Sequence, residues 1–284
     1  MGKPKQEHVY FFWSTAIIIC MLLAFFALLF ASCNKAKEIP AEEPDPALDS
    51  IQPYDPNATP EVGAIGVIPT ADPSAPAATV LGETADMGQD YIDSMVFLGD
   101  STTYGLGFYD VVSDTQVWTP ASGTLTLSLW SIATIVYEAG TENETELTIA
   151  EAVAQKQPAY MVLTLGVNGV SFLDQATFID EYTKLVNTIK EASPNTKIIL
   201  NSIYPVTTTY DASGSGITNA KIDSANLWVE SVATSTGVKY LDTQSILKDE
   251  NGALRTDYSN DNALHLTGDA LGLVINYIRT HGYV

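Results

Sequence analysis

The triplet Gly99-Asp100-Ser101 closes the apolar run Met95-Val96-Phe97-Leu98, and a serine in that place can act as a nucleophile. A strand that ends there carries its last residues to the rim of a sheet, where α/β proteins gather ligands. The hydroxyl attacks poorly until a base removes its proton, so a histidine has to reach it. The chain has three histidines. His8 precedes a long apolar stretch, and His281 stands close to the C-terminus in what reads as the last turn of a helix. His265 remains, in the polar stretch Ser259-Asn260-Asp261-Asn262-Ala263-Leu264-His265-Leu266-Thr267 that leads into a final helix. Ser101 paired with His265 points to a serine esterase.

The elements that must position this pair are legible as alternating patterns. Residues 95–98, 160–165, 197–203 and 238–241 are short apolar runs ending at small or polar residues, as suits strands buried on both faces of a parallel sheet. Between them, Phe178-Ile179, Tyr182, Leu185-Val186 and Ile189 repeat at helical spacing. Ile222, Ala225, Val229 and Val232-Ala233 do the same, and Leu271, Val274-Ile275 and Ile278 close the chain. Strands alternating with helices predict a three-layer α/β/α sandwich with a mostly parallel central sheet. The loop 207–216, containing Ser213-Gly214-Ser215-Gly216, is expected near the rim, as a connector or as a gate over the substrate.

These residues resemble the four landmark blocks of the SGNH (GDSL-type) hydrolases, in the expected order across about residues 93–284. Gly99-Asp100-Ser101 matches the first block, and Gly123 in Pro120-Ala121-Ser122-Gly123 is the choice for the second, with Gly105 and Gly107 as competitors. Leu165-Gly166-Val167-Asn168-Gly169-Val170 matches the third, and Ala263-Leu264-His265-Leu266-Thr267 matches the fourth. The resemblance implies a flavodoxin-like fold; three scattered histidines and two cysteines within or just after the N-terminal apolar stretch leave no zinc-like cluster, so no cofactor or metal is expected. The resemblance also implies an oxyanion hole made by the Ser101 backbone N–H, the Gly123 N–H and the Asn168 side-chain amide. In the bland reading Ser101 caps a helix, Asn168 caps a turn, Gly123 is a turn glycine, and Asp100 ties its loop to backbone amides. One departure matters. The family expects Asp three residues before the histidine, where this chain has Asn262, with Asp261 one place earlier. Either Asp261 reaches the ring through a shifted loop, or Asn262 or a backbone carbonyl orients it, or the site is weakened. The third block also has Gly169 where the family commonly has Asp.

Composition frames the setting. Residues 9–31 form an almost uninterrupted apolar run without charge, about 34 Å long as a helix and long enough to cross a bilayer core. A cytoplasmic tail over 1–8 and a transmembrane signal anchor over 9–31 are therefore expected. Leu29-Phe30-Ala31-Ser32-Cys33 resembles a bacterial lipobox, so a lipoprotein signal with Cys33 lipidated is the alternative. Residues 32–88, rich in Pro, Ala, Asp and Glu, read as a disordered acidic linker, and 89–284 as the hydrolase-like domain. The cysteines are Cys20 and Cys33 alone, so an exported domain would rely on its core and not on disulfides. The formal net charge is −21, with no Lys or Arg from Glu38 through Gln155, which disfavours nucleic acid as a partner. No Gly-x-Ser-x-Gly elbow, Walker loop or dinucleotide fingerprint is present. The expected function is extracytoplasmic removal of acetyl or other short acyl groups from a cell-surface or environmental carbohydrate. Trp118 and Trp130, near the second block, are candidates to stack a sugar, with core packing the expected duty of at least one of them. The alternative is a catalytically weakened domain that binds glycan at the cell surface.

Overall fold

The structure, a computed structural model, describes residues 79–284. The expected tail, membrane anchor, lipidated Cys33 and most of the linker lie outside the described residues. Five strands form one parallel sheet: β1 (Met95–Gly99), β2 (Val117–Trp118), β5 (Tyr160–Thr164), β6 (Lys197–Asn201) and β7 (Lys239–Leu241), in the order β2-β1-β5-β6-β7. Two further strands, β3 (Thr134–Tyr137) and β4 (Thr145–Thr148), pair antiparallel as a separate hairpin.

Strand periodicity distributes the core to two faces. Val96, Leu98, Met161, Leu163, Ile198, Leu200 and Tyr240 face one cluster, while Met95, Phe97, Val162, Ile199 and Leu241 face the other. Helices α3 (Ile149–Lys156), α4 (Gln175–Ala192) and α6 (Asn219–Thr236) bury their apolar stripes in the first cluster. Helices α1 (Gln89–Asp93), α2 (Ser101–Phe108) and α7 (Gly268–Thr280) do so in the second. A short helix, α5 (Thr208–Asp211), opens the 207–216 loop. The result is the three-layer α/β/α arrangement that the alternating patterns predict.

The linker stops earlier than its composition indicates. Val80 bridges to Tyr240 in parallel, the Leu81 N–H donates to the Tyr240 carbonyl at 2.8 Å, and the Tyr240 N–H donates to Thr79 at 3.0 Å. Leu81 is buried, and Asp86 forms an ion pair with Arg279 of α7. Thr79-Val80-Leu81 is too short to show a periodicity of its own, and its partner lies in a strand far along the chain. That is why the domain start, placed at 89 by composition, is displaced. Among the described residues no helix is long and apolar enough to cross a membrane.

Candidate active site

The site is built at the carboxyl ends of β1 and β5. Gly99 ends β1 where only hydrogen fits: a Cβ there would lie 1.9 Å from Thr103 Oγ1 and 2.7 Å from the Thr164 carbonyl. That close approach lets the chain turn at once into α2. Asp100 caps this helix, its Oδ1 accepting from the Thr102 N–H at 3.0 Å and the Thr102 hydroxyl at 2.8 Å. Ser101 is thereby fixed as the first helical residue, at the sheet rim.

His265 reaches it from a narrow hairpin. The Asn260 N–H donates to the His265 carbonyl at 3.0 Å, and the Thr267 N–H donates to Tyr258 at 2.8 Å. Ser259 bridges Leu266. The ring lies between two partners: Nε2 is 2.9 Å from Ser101 Oγ, and Nδ1 is 2.6 Å from Asp261 Oδ2. A carboxylate at Nδ1 holds the proton on that nitrogen, leaving Nε2 free to accept from the serine. Of the two residues left open by the sequence, Asp261 is therefore the one at the imidazole.

The extra residue between Asp261 and His265 is absorbed by Asn262, which takes a left-handed conformation with φ 55°, one that Asn tolerates well. Its carbonyl accepts from Thr207 Oγ1 at 2.7 Å, and the Ala263 carbonyl accepts from the Thr207 N–H at 2.8 Å. The start of the 207–216 loop thus clamps the hairpin tip. Asp261 Oδ1 is in turn held by the Ser259 hydroxyl at 3.0 Å and by the Ala263 N–H at 2.8 Å. Partial burial alone would raise the Asp261 pKa. The hydrogen bonds from His265, Ala263 and Ser259 outweigh it and hold this carboxyl below the usual range. It stays ionised beside the ring.

The third block supplies Asn168 from the turn after β5. That turn starts at Gly166, whose φ of 132° suits glycine, and where a Cβ would press on Ile203 and Phe178. Asn168 Nδ2 donates to Asp100 Oδ2 at 3.1 Å and to the Leu125 carbonyl at 3.2 Å. Gly123 lies beside the serine, as a Cβ on it would be 3.7 Å from Ser101 Cβ. Its N–H, however, donates to the Pro120 carbonyl at 2.8 Å, closing a turn. Gly123 thus lies beside the serine and Asn168 against the adjoining Asp100, while the hydrogens of both that the resemblance assigns to an oxyanion are here engaged within the protein. The competitors Gly105 and Gly107 lie within α2, against Leu271 and Asp114.

Asp100 is fully buried, and burial pushes its pKa up to about 6, against the Thr102 hydrogen bonds and the nearby His265, which pull it down. A cleft of about 220 Å³ opens beside Ser101 and His265, walled by Tyr104, Gly105, Phe108 and Tyr109. Trp118 and Trp130 do not face it. Both are buried, Trp118 at 0% exposure in the core and Trp130 with its indole N–H on Glu181. A tryptophan's size favours interior packing over display, and the exposed aromatics near the serine are Tyr104 and Phe108 instead. Among the described residues no cluster of His, Cys, Asp and Glu is arranged to hold a metal.

A family model described as GDSL-like lipase/acylhydrolase matches residues 97–270, more than half of the chain. Among solved structures, a candidate platelet activating factor from Streptococcus pneumonia matches with TM-score 0.50 at 18% identity, covering 66% of this chain and 82% of that one. A GDSL-like lipase from Bacteroides thetaiotaomicron matches with TM-score 0.46 at 19% identity, covering 65% and 86%. An acetyl xylan esterase matches with TM-score 0.46 at 16% identity, covering 65% and 96%. Among curated proteins none matches the sequence.

Proposed function

The chain belongs to the GDSL-like lipase/acylhydrolase family, and from that premise we propose that it is a serine ester hydrolase with Ser101 as nucleophile, His265 as general base and acid, and Asp261 as the group that orients the ring. The observation that carries this reading is the continuous relay from Ser101 Oγ to His265 Nε2 at 2.9 Å and from His265 Nδ1 to Asp261 at 2.6 Å. In the first half-reaction the serine oxygen bonds to the ester carbonyl carbon and its proton passes to Nε2. The tetrahedral adduct then breaks the bond to the alcohol oxygen, which leaves with that proton. In the second half, water gives a proton to Nε2 as its oxygen bonds to the acyl carbon; the bond from that carbon to Ser101 Oγ then breaks, Oγ takes the proton back from Nε2, and the acid leaves.

The developing oxyanion would be held by the Ser101 N–H, the Gly123 N–H and the Asn168 amide. Gly123 must exchange the Pro120 carbonyl, and Asn168 the Leu125 carbonyl, for the substrate oxygen, while the second amide hydrogen of Asn168 stays on Asp100. A charged acceptor draws a donor more strongly than a neutral carbonyl does, which favours that exchange.

The substrate we propose is a short-chain acyl ester, an acetyl group above all, on a carbohydrate outside the cytoplasm. The small cleft at Ser101 suits a short acyl group, and the apolar segment 9–31 followed by an acidic, cysteine-free domain supports the location. The glycan-binding alternative rested on Asn262 standing in place of an acid, and Asp261 at the imidazole removes that motive.

Hydrolysis of p-nitrophenyl acetate tests the activity. The full chain is expected to exceed buffer clearly and the Ser101→Ala and His265→Ala proteins to lose that excess. Equal rates in all three would refute the assignment.

A further inference from the structure

Helix α2 begins at the nucleophile, and three and seven residues on, along the same side, stand Tyr104 and Phe108. Both are large apolar side chains left open to solvent, at 53% and 64% exposure. Their rings lie 6.0 Å apart with an interplanar angle of 34°. Phe108 is braced edge-on by Tyr109 at 4.9 Å, and the Tyr109 hydroxyl accepts from Asn260 Nδ2 at 2.7 Å. Asn260 belongs to the hairpin that carries His265, so this aromatic ridge is tied in register to both Ser101 and its base.

The ridge divides two clefts, and Tyr104 and Phe108 are the residues common to both. One is the 220 Å³ cleft with Ser101 and His265. The other, about 530 Å³, runs away from the serine past Pro120 and Ala121 to Asp110, Asp114 and Glu144. Gly107 and Gly140 make room there: added Cβ atoms would lie 2.5 Å and 3.4 Å from the Asp114 carboxylate oxygens. All residues of this second cleft come from the stretch without Lys or Arg.

Resting on the esterase reading, we infer that Tyr104 and Phe108 are the platform on which the sugar of the acylated substrate stacks. The second cleft then receives the adjoining sugar and selects uncharged or amino-bearing rings over anionic ones. At 1.5 Å rise per residue, the two rings stand about 4.5 and 10.5 Å along the helix from Ser101, a spacing that fits a disaccharide. Aromatic faces take up the apolar C–H face of a sugar ring, while carboxylates accept hydrogen bonds from its hydroxyls. An alkyl chain in this cleft would strip water from three carboxylates without giving them a partner. A uronate would meet like charge, with no Lys or Arg among the residues that line the cleft to offset it.

The test compares the full-length protein with its Phe108→Ala form on p-nitrophenyl acetate and on acetylated xylo-oligosaccharide. The inference expects Phe108→Ala to lower kcat/KM at least tenfold more on the oligosaccharide, through KM. It also expects acetylated oligogalacturonate to be hydrolysed at least tenfold less efficiently than the neutral ester, with the gap narrowed in Asp114→Asn/Glu144→Gln. Equal losses on both substrates, or oligogalacturonate hydrolysed as well as the xylo-oligosaccharide, would overturn it. Absence of wild-type hydrolysis on every ester would sink the esterase reading instead. The platform is then judged by calorimetric titration of deacetylated xylo-oligosaccharide into Ser101→Ala: binding that Phe108→Ala abolishes supports it, and no binding, or binding unchanged by Phe108→Ala, refutes it.

Discussion

Two carboxylates flank the serine and histidine, and their environments set them to different tasks. Asp261 is anchored by donors and stays ionised, so it can hold the tautomer and stabilise an imidazolium. Asp261→Asn keeps the shape but places a neutral amide at Nδ1, and kcat should fall on the order of 10³–10⁴-fold, as expected when a triad loses its tautomer control. Asn262→Ala, whose side chain does not contact the ring, should keep most of the activity. Steady-state rates of the two variants make the comparison, and the reverse order would return the role to Asn262. Asp100 is desolvated and its pKa is raised to about 6 from 3.8. Between those values the folded protein holds a proton that the unfolded chain has released. This group's effect therefore lowers stability as pH rises from about 4 to about 6 and stays level above, by on the order of 3 kcal/mol. Urea unfolding of wild type against Asp100→Asn across pH 4–8 should show the wild type losing ground over that window, and parallel curves would contradict the assignment.

Elements announced themselves in the sequence where their signal is local. The runs that became β1, β5 and the middle of β6 are apolar because both faces are covered, β7 is a short run with Lys239 in it, and α4, α6 and α7 repeat at helical spacing. Three features whose meaning lies in distant contacts were not legible. Val117–Trp118 is only two residues long, yet it forms the edge beside β1. The β3–β4 hairpin pairs outside the main sheet and touches its edge through a Val136 N–H bond to the Thr119 carbonyl, and its second strand is largely exposed. The segment 79–81 reads as spacer until Tyr240 is seen opposite it. At the site, motif spacing singles out Ser101, His265, Asn168 and Gly123; the fold sets His265 and Gly123 beside Ser101 and Asn168 against Asp100. The choice between Asp261 and Asn262 is not settled by spacing, because the left-handed turn that absorbs the extra residue depends on the clamp from Thr207. The edge segment carries its own prediction. A chain starting at residue 89 loses the buried Leu81, the backbone bonds to Tyr240 and the Asp86–Arg279 pair. It should melt roughly 3–12 °C below one starting at residue 75, since burying a single leucine contributes about 1.5–3 kcal/mol and each kcal/mol moves Tm by about 2–4 °C in a domain of this size. Coincident melting curves would show that the segment contributes nothing.

At the scale of the whole molecule, two covered sheet faces fix the rim, and the rim brings three loops from separate parts of the chain to one serine. Ser101 follows β1, Asn168 follows β5, and His265 with Asp261 precedes α7. The net charge of −21 is unevenly placed along the chain, and the stretch from β1 through β4 has no Lys or Arg. The central claim is that this rim activates one serine among many, and covalent capture tests it most directly. Full-length protein treated with a fluorophosphonate ester should take up one equivalent, found by peptide mass spectrometry on Ser101. Labelling should be lost in Ser101→Ala and strongly slowed in His265→Ala. Label on another residue, or uptake indifferent to His265, would contradict the account.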